Sequence, residues 1–372
     1  MAKLGDIATY INGYAFKPQD WSDEGIPIIR IQDLTGNSYQ ANRYNGEYAS
    51  KYEVNDGDVL ISWSASLGVY VWHGEKAVLN QHIFKVVFDK ERISKDFFVH
   101  QVDLILENAA SDAHGATMKH LTKPVFDALP FYLPPYEKQC EIAEVLDKVT
   151  SLISLRKQQL AKLDELVKAR FVEMFGDPIN NPMNYPKSQL GKVCDVRDGT
   201  HDSPEYYDVG YPLVTSKNVT GGKIDLSECN LISEDDYKKI CERSKVDRGD
   251  IIMPMIGTVG KPVIVNTEPM FAIKNVALIK FTPDSLVTNI YIKTLLESDY
   301  FDRAVLDKIR GGTQKFIALG DIRKLEIILP DLKHQQCFSA FVERVEQQKQ
   351  TVQQSLEKLE LMKKALMQEY FG

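Results

Sequence analysis

The chain of 372 residues repeats itself once, and no other feature constrains its fold as strongly. Leu4-Gly5-Asp6-Ile7 returns as Leu190-Gly191-Lys192-Val193, and Gly25-Ile26-Pro27-Ile28-Ile29 as Gly210-Tyr211-Pro212-Leu213-Val214. Gly57-Asp58-Val59-Leu60-Ile61 returns as Gly249-Asp250-Ile251-Ile252-Met253, and Ala116-Thr117-Met118-Lys119-His120-Leu121 as Gly312-Thr313-Gln314-Lys315-Phe316-Ile317. From there the spacing is constant through Leu133-Pro134 and Leu329-Pro330, Gln139 and Gln335, to Phe175-Gly176 and Phe371-Gly372. One period fills half the chain, which is a duplication rather than a solenoid. Each half is long enough to bury a core of its own.

Both halves run in the same order. A strand-rich part comes first, over 1–134 and again over 188–330. Ile26–Leu34, Asp58–Ser64 and Val78–Phe88, with Ile251–Met255 and Ala272–Phe281, read as short strands rich in β-branched and aromatic residues. Asn55-Asp56-Gly57 and Gly221-Gly222 are turn signals between them. A helical patch fits Phe97–Asn108, with a counterpart at Thr288–Asp307. Leu129–Leu133 and Leu325–Leu329 close the strand-rich parts, each ending at a proline.

Long helices follow over 135–176 and 331–372, and the Asn- and Pro-rich run 177–187 links the halves. Proline or Asp at their first positions suits a helix start, and Gly176 and Gly372 suit their ends. Leu146, Ile153, Leu160 and Val167 recur every seven residues, with Phe175 at the helix end. Val345, Val352, Leu359 and Leu366 do the same in the second helix, with Phe371 at its end. That period is a coiled-coil signal, and these ten residues are the candidates for helix pairing or partner docking. Because the first helix leads from one domain to the next, the second can pack along it only by running back. The expected fold is therefore α+β: two mixed α/β domains related by a pseudo-two-fold axis, each followed by a long helix, the two helices forming an antiparallel coiled coil.

Two similar domains held apart by a rod form a caliper. One turn of B-DNA advances roughly 34 Å over about 10 base pairs, so such a device suits a split sequence with an unread gap. The order and spacing of Leu133-Pro134-Pro135-Tyr136-Glu137-Lys138-Gln139 and Leu329-Pro330-Asp331-Leu332-Lys333-His334-Gln335 carry a resemblance, each motif following a strand domain and opening a long helix. The helix endings Glu173-Met174-Phe175-Gly176-Asp177 and Gln368-Glu369-Tyr370-Phe371-Gly372, and the Gly-Asp turns at 57 and 249, belong to the same pattern. Over essentially its whole length the chain resembles the specificity subunits of type I restriction-modification enzymes. The second half departs in having Asp331 where the first has Pro135.

The resemblance implies target-recognition domains at 1–134 and 188–330, each reading one half of a bipartite site on double-stranded DNA. It implies helices that set the gap and dock two methyltransferase subunits, with restriction subunits joining in the full complex. The chain itself would be non-catalytic and without cofactor; the partners would bind S-adenosylmethionine, ATP and Mg. The runner-up reading is a non-catalytic duplicated scaffold that binds protein partners.

Composition bears on this in three ways. A net charge of −7 is unusual for a DNA binder, whose phosphate contacts need Lys and Arg. The cations must cluster on one face or come from partners. The five cysteines are scattered, with no C-x-x-C pair, and read as reduced thiols. Met1-Ala2-Lys3-Leu4-Gly5-Asp6 leads into no apolar leader, and no run of about 18 apolar residues exists. The cytoplasm is the expected location.

No catalytic or metal site is expected. Leu133-Pro134-Pro135-Tyr136 lacks the Asn or Asp that opens an amino-methyltransferase loop, and its counterpart loses the motif. Gly257-Thr258-Val259-Gly260-Lys261-Pro262 has Met255 and Pro262 where a P-loop needs Gly and Ser or Thr. The seven histidines show no ligand spacing. Asp58 and Asp250 match across the repeat, and a turn role beside the preceding glycine is expected for both.

DNA-reading candidates are side chains able to reach base edges or phosphates. In the first half these are Arg30, Gln32, Ser62, Trp63, Gln81, His82, Thr117, Lys119 and His120. In the second they are Thr215, Ser216, Lys217, Lys274, Asn275, Arg310, Thr313, Gln314 and Lys315.

Overall fold

In the computed structural model, which describes residues 1–37, 42–112, 121–256, 261–305 and 316–372, the apolar runs of each half build two sheets of three or four strands, beside shorter two-stranded pairs. In the first half Thr9–Asn12, Ile83–Val87, Val59–Ser62 and Gly68–Val71 form an antiparallel sheet in that order. A second sheet orders Arg43–Tyr44, Ile26–Ile29, Ala77–Leu79 and Glu53–Val54. Its central pair is parallel, with Ile29 opposite Leu79. The other half repeats both. Asp195–Asp198, Val276–Lys280, Ile251–Pro254 and Val263–Ile264 make the antiparallel sheet. Asn230–Ile232, Tyr211–Val214 and Ala272–Ile273 make the other, whose parallel pair sets Val214 opposite Ile273.

Three expected strands are shorter than their apolar runs, each for a local reason. Ile26–Leu34 stops at Ile29, because Asp33 Oδ2 accepts the Arg30 N–H at 2.8 Å and caps a helical turn over Ile31–Leu34. Val78–Phe88 breaks at His82, whose φ of 73° takes it out of the ladder, and Ala272–Phe281 breaks at Asn275, with φ of 56°. The expected helix Thr288–Asp307 is two, Asn289–Leu296 and Asp299–Ala304; its last residues, 306 and 307, lie outside the described residues. An amphipathic helix over Glu234–Ser244, capped by Ser233, has no counterpart among the described residues of the first half.

The turn role expected of Asp58 and Asp250 is what the structure gives. Gly57 and Gly249 stand at φ of 83° and 92°, open to glycine at no steric cost. Asp58 Oδ2 accepts the Asn55 N–H and Asp250 Oδ2 the Asp247 N–H, each at 2.8 Å. Each carboxylate then pairs with a lysine from the neighbouring strand, Lys85 at 2.8 Å and Lys280 at 2.6 Å.

The chain folds as two compact units that divide both long helices. One comprises Met1–Lys157 with Gln354–Gly372, and the other Gln158–Gln353. The helices run over Tyr136–Phe175 and Leu332–Phe371. In unit 1 the core of Leu4, Ile7, Phe97, Phe98, Phe131 and Leu146 is completed by Met367, with Leu366 and Phe371 packed against it. In unit 2 Phe171 and Phe175 share a core with Tyr291, Phe338, Ile327 and Ile328. Both units thus take one stretch from each helix. Within unit 1 Lys157 pairs with Glu360 at 3.0 Å, while within unit 2 Asp164 pairs with Lys349 at 2.7 Å and Arg170 lies over the Phe341 ring. Of the seven-spaced residues Leu146, Ile153, Val345 and Val352 are buried; Leu160, Val167, Leu359 and Leu366 are half-buried.

The repeated glutamine at each helix entry has a clear task. Gln139 Oε1 accepts the Ser94 N–H at 2.9 Å and its Nε2 donates to the Pro134 carbonyl at 2.9 Å. Gln335 makes the same pair of bonds to the Thr288 N–H and the Pro330 carbonyl, at 2.9 and 2.8 Å. Each side chain is buried and stitches the helix entry to the start of an earlier helix, Lys95–Asp112 in unit 1 and Asn289–Leu296 in unit 2, so alanine would leave those backbone groups without their partner. Gln139→Ala or Gln335→Ala is expected to cost about 1–3 kcal/mol of the stability of its unit, read as a lowered midpoint in urea; an unchanged midpoint would show the bonds to be replaceable by water.

All five cysteines are free thiols, and burial pushes the Cys194 thiol up to about 12. Among the described residues no helix is long and apolar enough to cross a membrane.

Candidate nucleic-acid interface

The candidate readers converge where the parallel strand pair of each unit ends. In unit 1 the strands Ile26–Ile29 and Ala77–Leu79 run side by side and release two loops together. Arg30 and Gln32 leave one strand, Gln81 and His82 the other, and the loop after Thr9–Asn12 closes against both. Tyr14 donates to the Leu79 carbonyl at 2.8 Å, and Gln81 donates to the Tyr14 carbonyl at 2.8 Å. Unit 2 repeats these bonds with other residues. Thr200 donates to the Ile273 carbonyl at 3.0 Å, and Asn275 to the Thr200 carbonyl at 3.2 Å.

The close approach of these loops requires glycine. A Cβ on Gly13 would stand 2.0 Å from the Asn80 carbonyl oxygen, and one on Gly199 2.4 Å from that of Ile273. The units differ at one point of backbone length: three residues separate Leu79 from Ile83, but two separate Ile273 from Val276. The same scaffold therefore presents different side chains from slightly different loops.

In unit 1 the surface is aromatic. The Arg30 guanidinium lies over the Trp21 ring, 5.0 Å from its centroid, and donates to Gln32 Oε1 at 2.5 Å. Trp21 and Tyr14 are both more than 40% exposed. Trp63 is turned inward, stacked on Phe84 at 5.6 Å and edge-on to His82 at 4.9 Å, with its Nε1 donating to Asn12 Oδ1. Ser62 is fully buried and donates to the Ser64 carbonyl, so it braces the loop.

In unit 2 the surface is polar and charged. Asn218 Oδ1 accepts both the N–H and the hydroxyl of Thr215 at 2.9 Å, while Lys217 is exposed. Ser216 Oγ donates to the Asn275 carbonyl, and Lys274 Nζ to Ser203 Oγ. His201 lies between Asp198 and Asn275, 2.8 Å from each. Against the opposing pull of burial, the His201 and Arg243 contacts hold the Asp198 carboxyl below its ordinary range.

The family model of the type I restriction modification DNA specificity domain matches residues 1–165 and again 182–361, which is most of the chain and follows its repeat. The chain belongs to this family. The specificity subunit of the type I restriction enzyme EcoBI of Escherichia coli is 24% identical over 378 residues, covering 92% of this specificity chain and 78% of that protein. The MjaVIII specificity subunit of Methanocaldococcus jannaschii is 23% identical over 391 residues, covering 99% and 90%. The fold is similar to the crystal structure of a type I restriction-modification S subunit from M. genitalium, with a TM-score of 0.59 at 12% identity, covering 100% of this chain and 95% of that one.

Within this specificity chain the structure gathers Arg30, Gln32, Gln81 and His82 in one unit and Thr215, Ser216, Lys217, Lys274 and Asn275 in the other. Thr117, Lys119, His120, Arg310, Thr313, Gln314 and Lys315 lie outside the described residues. The flanks Leu121 and Ile317 donate to the carbonyls of Trp63 and Met255, just beyond the paired strands Val59–Ser62 and Ile251–Pro254. Residue-type reasoning passed over Tyr14, Trp21, Asp198, Thr200, His201 and Arg243. A signal for the first loop was present: Gly13 and Gly199 keep the spacing that separates Leu4 from Leu190.

Proposed function

We propose that this chain is the DNA-reading subunit of a type I restriction-modification complex and recognises a bipartite, gapped target with one half-site per unit. One observation carries the reading: the two units build the same loop junction on the same backbone bonds and furnish it with different side chains. A repeated scaffold with divergent tips suits two different half-sites. The contacts between the long helices within each unit support an antiparallel coiled coil that sets the gap. The leucines and valines left exposed along the first helix, Leu152, Leu155, Leu166 and Val172, suit docking of methyltransferase subunits. In this reading the chain performs no chemistry and holds no cofactor; S-adenosylmethionine, ATP and Mg belong to its partners, and the complex works in the cytoplasm.

The test is methylome sequencing of a host that expresses the cognate methyltransferase with and without this chain. A two-part methylated motif that appears only with the chain is the expected result. A motif independent of the chain, or none when the methyltransferase is active with another specificity subunit, would favour a protein-binding scaffold instead.

A further inference from the structure

The loop junction of unit 2 holds an imidazole from both sides. His201 Nε2 lies 2.8 Å from Asp198 Oδ2, and its Nδ1 lies 2.8 Å from Asn275 Oδ1. Both partners are acceptors, and only an imidazolium can donate from both ring nitrogens. The Asp198 side chain is 12% exposed and also bonds the Arg243 guanidinium, which keeps it ionised. Asn275 is fixed in turn. Its φ is 56°, its N–H donates to the Thr200 carbonyl and its own carbonyl accepts from Ser216 Oγ.

This arrangement orients the Asn275 amide, with Oδ1 turned towards the imidazole and one of its two lone pairs engaged there. An unrestrained asparagine reads adenine through both ends of its amide, accepting from N6 and donating to N7. With Oδ1 turned to His201, the Nδ2 hydrogens, which no described residue accepts, are the end of the amide left to meet a base. Two donors match the O6 and N7 acceptors of guanine. Resting on the DNA-reading function proposed above, we propose that Asn275, locked by the His201 imidazolium, selects guanine over adenine at one position of the half-site read by unit 2. His201 is the positioning residue and Asn275 the reader.

The selection depends on a proton. The charged groups around the ring are Asp198, Arg243 on the helix Glu234–Ser244, Lys274 beside Asn275 and Asp202 next in the chain; among the described residues Asp198 is the one bonded to the ring. The bonds to Asn275 and Asp198 raise the His201 pKa above its ordinary value, against burial and the Arg243 charge. The lock is thus complete below that raised pKa and is lost as pH rises through it. Nδ1 then becomes an acceptor, the amide turns to donate to it, and Oδ1 faces outward.

The experiment uses the full chain with its methyltransferase subunits and duplexes carrying the target found by methylome sequencing. At each unit 2 position bearing guanine, a second duplex carries adenine. At about pH 6 one position is expected to favour guanine by about tenfold, within the range for one well-formed base contact, and the ratio should fall to unity or below at about pH 9. His201→Ala frees the amide and should give a ratio of unity or below at both pH values at that position, leaving the unit 1 half-site untouched. A guanine-to-adenine ratio in the wild-type complex that does not change with pH at any unit 2 position overturns the proposal; if His201→Ala cannot bind at all, that wild-type series alone decides. A complex that binds its target no better than unrelated DNA sinks the DNA-reading function itself.

Discussion

Alanine at Gly13 is expected to erase recognition of one half of the DNA target while the other half is still read, and alanine at Gly199 to do the converse. The reason is a close approach of backbone to backbone, which no side-chain adjustment relieves. The added Cβ would stand 2.0 Å from the Asn80 carbonyl oxygen in one unit and 2.4 Å from that of Ile273 in the other. The loop must therefore move off the parallel strand pair, and with it go the bonds from Tyr14 to Leu79 and from Thr200 to Ile273. Forced overpacking of this kind costs about 1–3 kcal/mol, occasionally more, and it is concentrated where the candidate readers stand. Methylome sequencing of cells carrying each variant reads the result directly. The motif should lose information in one half-site for Gly13→Ala and in the other for Gly199→Ala. An intact motif in both variants would place the DNA-reading surface elsewhere on the units.

The second large effect is on stability. Phe338 lies on the second long helix, has no exposed surface, and touches Phe171 and Phe175 of the first with ring centroids 5.6 and 5.4 Å away. Phe171 in turn stacks on Tyr291 at 5.6 Å, whose hydroxyl donates to the Ile328 carbonyl. Truncating Phe338 to alanine opens a cavity where both helices meet the strand domain of unit 2, with an expected loss of about 3–5 kcal/mol. Chemical denaturation of the purified chain, followed by tryptophan-free probes of unit 2 such as amide exchange at Ile327 and Ile328, should show unit 2 unfolding at lower denaturant than unit 1. A loss below about 1 kcal/mol, the scale of a surface substitution, would mean that the aromatic cluster does not hold the helices to the domain.

Much of this architecture was legible in the sequence because duplication makes each half a check on the other. The helix entries at 134 and 330, the turns at Gly57 and Gly249 and the heptad stripes all stand where matched residues placed them. The misread elements are those where one polar side chain overrides an apolar run. Asp33 turns the chain out of a strand after Ile29, and the positive φ of His82 and Asn275 cuts two long runs into shorter strands. Nothing in local hydrophobicity records such a choice. The helix Glu234–Ser244 was missed because the other half has no copy of it.

The candidate surface was half legible. Base-reading residue types led to Arg30, Gln32, Lys274 and Asn275, which the fold does bring to the ends of the parallel strands. Trp63 and Ser62 share those types, but Ser62 is buried at the strand end on the Ser64 carbonyl and the Trp63 ring packs on Phe84 and His82. His201 was passed over since an isolated histidine has no signature; its meaning comes from Asp198 and Asn275, which only the folded chain sets on either side of it.

The division of the helices between the units has a consequence for how the protein is made. Unit 2 is one uninterrupted run, Gln158–Gln353, whereas unit 1 needs Gln354–Gly372 to finish its core. A ribosome therefore delivers the strand domain of unit 1 first and the segment that seals it last. At about 5–20 residues per second, all of unit 2 emerges in between, a wait on the order of ten seconds or more. Throughout that interval the apolar faces that later receive Leu366, Met367 and Phe371 are uncovered. Chains released just after Gln353 should therefore expose the unit 1 core and attract chaperones, while unit 2 has all of its residues.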